Sequence, residues 1–184
     1  LGQETSTENA RILVAPLVNP DGLYKRPKTR TNARGVDVNR NFATADWTKR
    51  AQLMWKSRFN SNPRRFPGKT ADSEPETLFQ KKLIEEFLPQ KIISLHAPLN
   101  VLDYDGPNVL TLKKFPKEYV ERCVKLSKNL KAVSTGFFPG SLGNYAGQER
   151  GIPTFTLELP TANPGLADDY WIKFKSGIQT VIKY

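Results

Sequence analysis

Residues 151–160 read Gly-Ile-Pro-Thr-Phe-Thr-Leu-Glu-Leu-Pro, and their interpretation decides the fold. Thr154 to Leu159 form a short apolar run of β-branched and aromatic residues, the pattern of a strand buried in a sheet. It carries one acid, Glu158, whose burial costs several kcal/mol unless the carboxylate is paired or functional. Upstream, Lys91 to Leu95 (KIISL) predict another short buried strand, ending at His96. A strand over Asn100 to Tyr104 should turn at Asp105-Gly106-Pro107. The run 11–18, RILVAPLV, predicts a strand buried on both faces and closed by a loop at Asn19-Pro20-Asp21-Gly22.

Helical spacing alternates with these strands. Ser73-Glu74-Pro75-Glu76 predicts a capping box, and Leu78, Phe79, Leu83, Phe87 and Leu88 then continue a helix over about residues 74–88. From Pro116 to Leu130 an apolar stripe of Val120, Cys123, Val124, Ser127 and Leu130 predicts an amphipathic helix, with Cys123 in its packed face. The last helix should cover Ala167 to Tyr184, with Trp171, Phe174, Ile178 and Val181 on one face. Residues 43–72 show no clear period and predict a long loop with short helical pieces, and 134–151 are rich in Gly and Ser. Strands separated by helices define an α/β sheet with helices on both faces, within one domain.

The chain has 184 residues, 28 Lys+Arg, 18 Asp+Glu, one His and one Cys, giving a formal charge of +10. One cysteine excludes an internal disulfide framework. No apolar run is long enough for a transmembrane helix, and the first residues carry no apolar signal core. The charge favours anionic partners without naming one. A nucleic-acid module is the rival it suggests, with the basic stretch Lys25 to Arg30 in support. Against it, no nucleic-acid motif is present and the basic residues are spread along the chain.

Polar residues of a catalytic kind cluster at the strand ends: Asn19 and Asp21, His96, and Glu158. In open α/β sheets the carboxyl ends of strands line the ligand crevice, so these ends should converge. Arg30 and Asn39-Arg40 lie in neighbouring loops. Singly, each has a structural explanation: a lone histidine after a strand is more often hydrogen-bonded scaffold than a ligand, and an Asn-Arg-Asn string can stitch a loop.

Taken together, VNPDGL (18–23), RTNARGVDVNRNF (30–42), SEPET (73–77), SLHAP (94–98), GSLGNYAG (140–147) and GIPTFTLELP (151–160) follow one another in the order seen in the zinc carboxypeptidases. The chain resembles the compact bacterial branch of that superfamily from Ile12 onward. The resemblance implies a mixed, mostly parallel twisted sheet with helices on both faces. It further implies a Zn2+ cofactor with His96 as the last metal ligand, and Glu158 as the acceptor and shuttle of a water proton. Arg30 would stabilise the oxyanion, Asn39 and Arg40 would clamp a terminal carboxylate, and Leu142 and Thr156 would line the pocket of the released residue. The chemistry suits those roles: zinc brings its water's pKa to about 7, and Arg grips a carboxylate bidentately where Lys cannot. The implied substrate is a peptide, or a cell-wall muropeptide of the γ-D-glutamyl-diaminopimelate type.

Two departures accompany the resemblance. The family's first two zinc ligands come from a His-x-x-Glu motif before the NPDG strand, and His96 is the only histidine here. The expectation is that this motif and its neighbouring strands lie N-terminal to Leu1. A metal-free peptide-binding pseudoenzyme and complementation by a second chain are the alternatives. Family carboxypeptidases also place a mobile tyrosine shortly before the position of Gly140-Ser141, where this chain reads Thr135-Gly136-Phe137-Phe138-Pro139.

Overall fold

The computed structural model describes residues 3–7, 10–106, 117 and 138–183, with backbone alone for 3–7 and 183. The helix expected from Pro116 to Leu130, with Cys123, lies outside the described residues apart from Lys117, which is helical. So do Thr135, Gly136 and Phe137. Strands β1 (Gln3–Thr7) and β2 (Ala10–Val14) form a two-stranded sheet. Beyond it the chain gathers into two compact units, the first built mainly from Arg11–Pro89 and Thr135–Tyr145, the second from Gln90–Ser134 and Ala146–Tyr184.

The first unit is helical and loop-rich. Helix α1 (Pro20–Tyr24) starts where a loop is expected, because Asn19 caps it: the side-chain oxygen accepts from Gly22 N at 3.0 Å. Gly22 is required there, since a Cβ would meet the Thr29 carbonyl oxygen at 2.5 Å. The strand before it is shorter than the run 11–18 suggests and only half-covered, with Val14 46% exposed.

Helix α2 (Trp47–Ser57) occupies part of the expected long loop. Trp47 and Ala51 are its buried residues, one helical turn apart, and the remaining positions are mostly polar. Helix α3 (Pro75–Phe87) matches expectation within a residue, yet its capping box does not form. Glu74 occupies the cap position without a side-chain cap bond, and Ser73 Oγ donates to Glu74 Oε1 at 2.6 Å instead. Leu78 and Leu88, placed on the apolar stripe by spacing, are 48% and 77% exposed. The buried end of α3 consists of Glu76 and Thr77.

The apolar core of this unit includes Val36, Val38, Phe42, Trp47, Ala51 and Tyr145. A polar network is buried beside it. Asn32 Nδ2 donates to Glu74 Oε2 at 2.7 Å and Glu76 Oε2 at 2.9 Å, while Asn41 Nδ2 donates to the carbonyls of Pro67 and Thr70, both at 2.9 Å. Asn41 Oδ1 accepts from Glu74 N. Buried polar groups are tolerable only when satisfied in this way, so SEPET and NRNF serve here as each other's partners.

The second unit is a mixed sheet of β3 (Ile92–His96), β5 (Thr154–Glu158) and β4 (Val101–Asp105), in that order, with helix α4 (Ala167–Lys183). β3 runs parallel to β5 and β4 antiparallel to it. Leu102, Tyr104, Phe155 and Leu157 cluster with Phe174 and Val181 of α4, and Ile93, Tyr170 and Ile178 pack around them. Full burial of such side chains contributes about 1.5–3 kcal/mol each. Two expectations fail here. Trp171 is 53% exposed, and Tyr170 takes its place beside Phe174, with ring centroids 6.5 Å apart. β3 is half-buried, Leu95 being 61% exposed, because it pairs with a neighbour on one edge only among the described strands.

Candidate active site

The residues singled out by sequence fall into two groups, one in each compact unit. In the sheet, side chains alternate between faces, and the register places His96 beside Glu158, Ser94 beside Thr156, and Thr156 opposite Asp103. His96, Thr156 and Glu158 therefore share one face, opposite to the Phe155–Leu157 face that packs in the core. His96 Nε2 lies 3.0 Å from Ser94 Oγ, and Glu158 Oε2 accepts from Leu99 N at 3.4 Å.

The same face carries two carboxylates that sequence reading passed over. Burial raises the pKa of Asp103 above the ordinary value, and its backbone bond from Tyr104 opposes the rise. Asp105 is pushed up to about 6, first by burial and then by the charge of Asp103, against the hydrogen bond from Gln148. Their signal lay in the string VLDYD, whose period of two puts both acids on one face.

In the first unit, Arg30, Asn39, Arg40 and Leu142 are brought together. Arg30 Nε donates to Asp37 Oδ2 at 2.7 Å, and Asp37 is itself fully buried. Asn39 Oδ1 accepts from Leu142 N at 2.8 Å, which fixes the Leu142 backbone to the Asn39 turn. The Gly140 segment docks on the same turn: Phe42 N donates to Gly140 O at 3.1 Å, and Gly140 N donates to Thr44 Oγ1 at 2.9 Å. Gly140 has φ +75° and its Cβ position abuts the Arg40 carbonyl, so only glycine fits. That carbonyl accepts from Trp47 Nε1 at 2.8 Å.

Arg40 is 7% exposed, and Nη1 donates to the carbonyl of Asn39. Burial lowers its pKa to about 10; Asp37 opposes the change, whereas Arg30, Arg65 and Arg58 reinforce it. Asp37, Arg58 and Arg65 were not among the residues singled out by sequence. The latter two sit in the segment read as loop, and the only hint of Asp37 was an acid flanked by Val36 and Val38. Asn19 and Asp21 act locally: Asn19 caps α1, and Asp21 Oδ2 accepts from Ala33 N at 3.0 Å.

Among the described residues no three of His, Cys, Asp and Glu are grouped so as to hold a metal ion. A catalytic zinc takes three protein ligands, so the described residues do not by themselves fit one; His96 is a single donor. Among the described residues no helix is long and apolar enough to cross a membrane.

The mixed sheet with helices agrees with a family match that covers nearly the whole chain. The chain belongs to the zinc carboxypeptidase family, whose sequence profile matches residues 4–182. It is 33% identical over 155 residues to murein peptide amidase A of Vibrio campbellii, covering 81% of this chain and 56% of that protein. To murein peptide amidase A of Escherichia coli K12 it is 29% identical over 159 residues, covering 84% of this chain and 60% of the relative. The chain thus spans somewhat over half the length of these relatives. The crystal structure of murein-tripeptide amidase from Escherichia coli O157 superposes with a TM-score of 0.56 at 26% identity, over 91% of this chain and 65% of that one. Carboxypeptidase A from Helicoverpa armigera shares the fold at 17% identity, TM-score 0.55, over 92% of this chain and 50% of that one.

Proposed function

We propose that this protein is a zinc-dependent peptidase that hydrolyses the amide before a residue with a free carboxylate, in cell-wall muropeptides of the γ-D-glutamyl-diaminopimelate type. The observation that carries the reading is the register pairing of His96 with Glu158 at the carboxyl ends of two parallel strands. Similarity to murein peptide amidases supports the substrate class.

In this reading Zn2+ would supply a Lewis acid when bound, and His96 would be one of the residues holding it, the other ligands lying outside the described residues. Glu158 takes the proton of the attacking water and later returns it to the leaving amine. Arg30 stabilises the oxyanion, and its guanidinium is held in direction by Asp37. Asn39 and Arg40 clamp the terminal carboxylate, while Leu142 and Thr156 line the pocket for the released residue.

The test uses protein expressed from its complete reading frame and loaded with zinc. It should cleave a muropeptide tripeptide, and Glu158→Gln should lower turnover about 100-fold to 10,000-fold, the range for loss of a general base. Near-normal turnover of the variant contradicts the role of Glu158, and cleavage of ordinary C-terminal peptides alone contradicts the cell-wall substrate. A second reading, a metal-free peptide binder, is favoured by His96 being the sole histidine of the sequence. Stoichiometric zinc in the purified protein would exclude it.

A further inference from the structure

Arg40 is assigned above to one carboxylate, and three further guanidinium groups act on it. The residue is 7% exposed, and Nε has no hydrogen-bond partner among the described residues. The guanidinium lies over Phe138, its Cζ 4.5 Å from the ring centroid, and Arg58 lies over the same ring at 5.3 Å. Phe59 in turn carries Arg58 at 5.8 Å and Arg65 at 5.6 Å. Two aromatic rings thus hold three guanidinium groups in series. Stacking engages the face of a guanidinium and leaves its donors directed in the plane, the geometry that a carboxylate fork matches. Arg30, Arg58 and Arg65 all act on Arg40 with the same sign, and the opposing charge, Asp37, is already bound by Arg30. An anion at the unpartnered Arg40 Nε would offset this convergence of like charge on a buried cation.

We infer that Arg58 and Arg65 join Arg40 in a second anion subsite, which takes a further carboxylate of the substrate beyond the terminal one held by Asn39 and Arg40. The inference rests on the function proposed above and narrows its substrate class to peptides with two carboxylates close to the scissile amide. A γ-linked D-glutamate keeps its α-carboxylate free beside that amide. Diaminopimelate carries a second carboxylate at its far end. Either source meets the chemistry.

Calorimetric titration of the zinc-free protein, expressed from its complete reading frame, separates them without turnover. The probes are γ-D-glutamyl-diaminopimelate, the same compound amidated at the glutamate α-carboxylate, and γ-D-glutamyl-lysine. The double variant Arg58→Ala/Arg65→Ala should bind the first probe about tenfold to a hundredfold more weakly, as loss of charge-assisted hydrogen bonds implies. It should bind one of the other two as the unsubstituted protein does, and that probe identifies which carboxylate the subsite reads. Circular dichroism on the variant controls for folding, and Arg58→Lys/Arg65→Lys should recover only part of the loss. No change for any probe, equal weakening for all three, or no binding of the first probe to the unsubstituted protein overturns the subsite. Hydrolysis is assayed separately with zinc: an inactive protein that still shows the selective pattern would defeat the peptidase reading and leave the subsite standing.

Discussion

The loop-rich segment from Thr29 to Glu74 and the sheet β3-β5-β4 hold their polar side chains by opposite means. In the sheet, position follows from the backbone: once Phe155 and Leu157 enter the core against Phe174 and Val181, the period of two turns Thr156 and Glu158 to the other face. In the loops, position follows from side chains that bind one another. Arg30 is aimed by Asp37, Asn39 by the Leu142 amide, and the turn around them by Asn41 and Glu74. Damage to the sheet should therefore appear as lost packing, and damage to the loops as lost hydrogen bonds and misdirected charge.

Phe155→Ala should give the largest loss of stability, about 3–5 kcal/mol, since a core aromatic is replaced by a cavity. Chemical denaturation measures it, and a loss below 1 kcal/mol would show that the α4 face is not the main support of the sheet. Asp37→Ala should cost less, about 2 kcal/mol. A fully buried pair loses about 3–5 kcal/mol when one partner is removed, whereas Arg30 keeps 23% side-chain exposure and can recover water. An unchanged denaturation midpoint for this variant would break the contrast between the regions.

The smallest expected effect is that of Asp105→Asn, and it depends on pH. The folded protein holds the Asp105 proton up to about 6, against 3.8 for the ordinary group, so in that interval the folded state binds more proton than the unfolded state. Stability from this group is therefore full below 3.8 and falls as pH rises through about 6. Asparagine lacks the penalty, so the variant should gain on the parent protein above pH 6 and lose that advantage near pH 4. Denaturation midpoints at the two pH values check the sign, and an advantage confined to low pH would reverse the assignment.

What the sequence revealed divides along the same line. The strand at Thr154–Glu158 was legible because an apolar alternation needs only its own residues, and α3 was legible from its spacing. Helix α2 is longer than the short helical pieces expected there, because its two buried residues, Trp47 and Ala51, are scattered among Lys, Arg and Gln and leave no clear period. The SEPET string looked like a capping box because the pattern is local, while the Glu74 carboxylate accepts from Asn32, 42 residues away, and its backbone N–H donates to Asn41. Trp171 and Tyr170 are adjacent, and spacing alone does not say which one turns inward. Motif order marked Arg30, Asn39, Arg40, His96, Leu142, Thr156 and Glu158 as candidates. Their neighbours Asp37, Arg58, Arg65, Asp103 and Asp105 are fixed by tertiary pairing and left little trace in the string.

The central claim, that the loops grip a terminal carboxylate while the sheet performs the proton transfer, is tested most directly by the kinetics of Arg40→Ala. The measurement compares a muropeptide ending in a free carboxylate with the same peptide amidated there. The account predicts that the unsubstituted enzyme prefers the free acid, and that Arg40→Ala abolishes the preference through KM while kcat is largely retained. A preference that survives the substitution, or a loss confined to kcat, would contradict it.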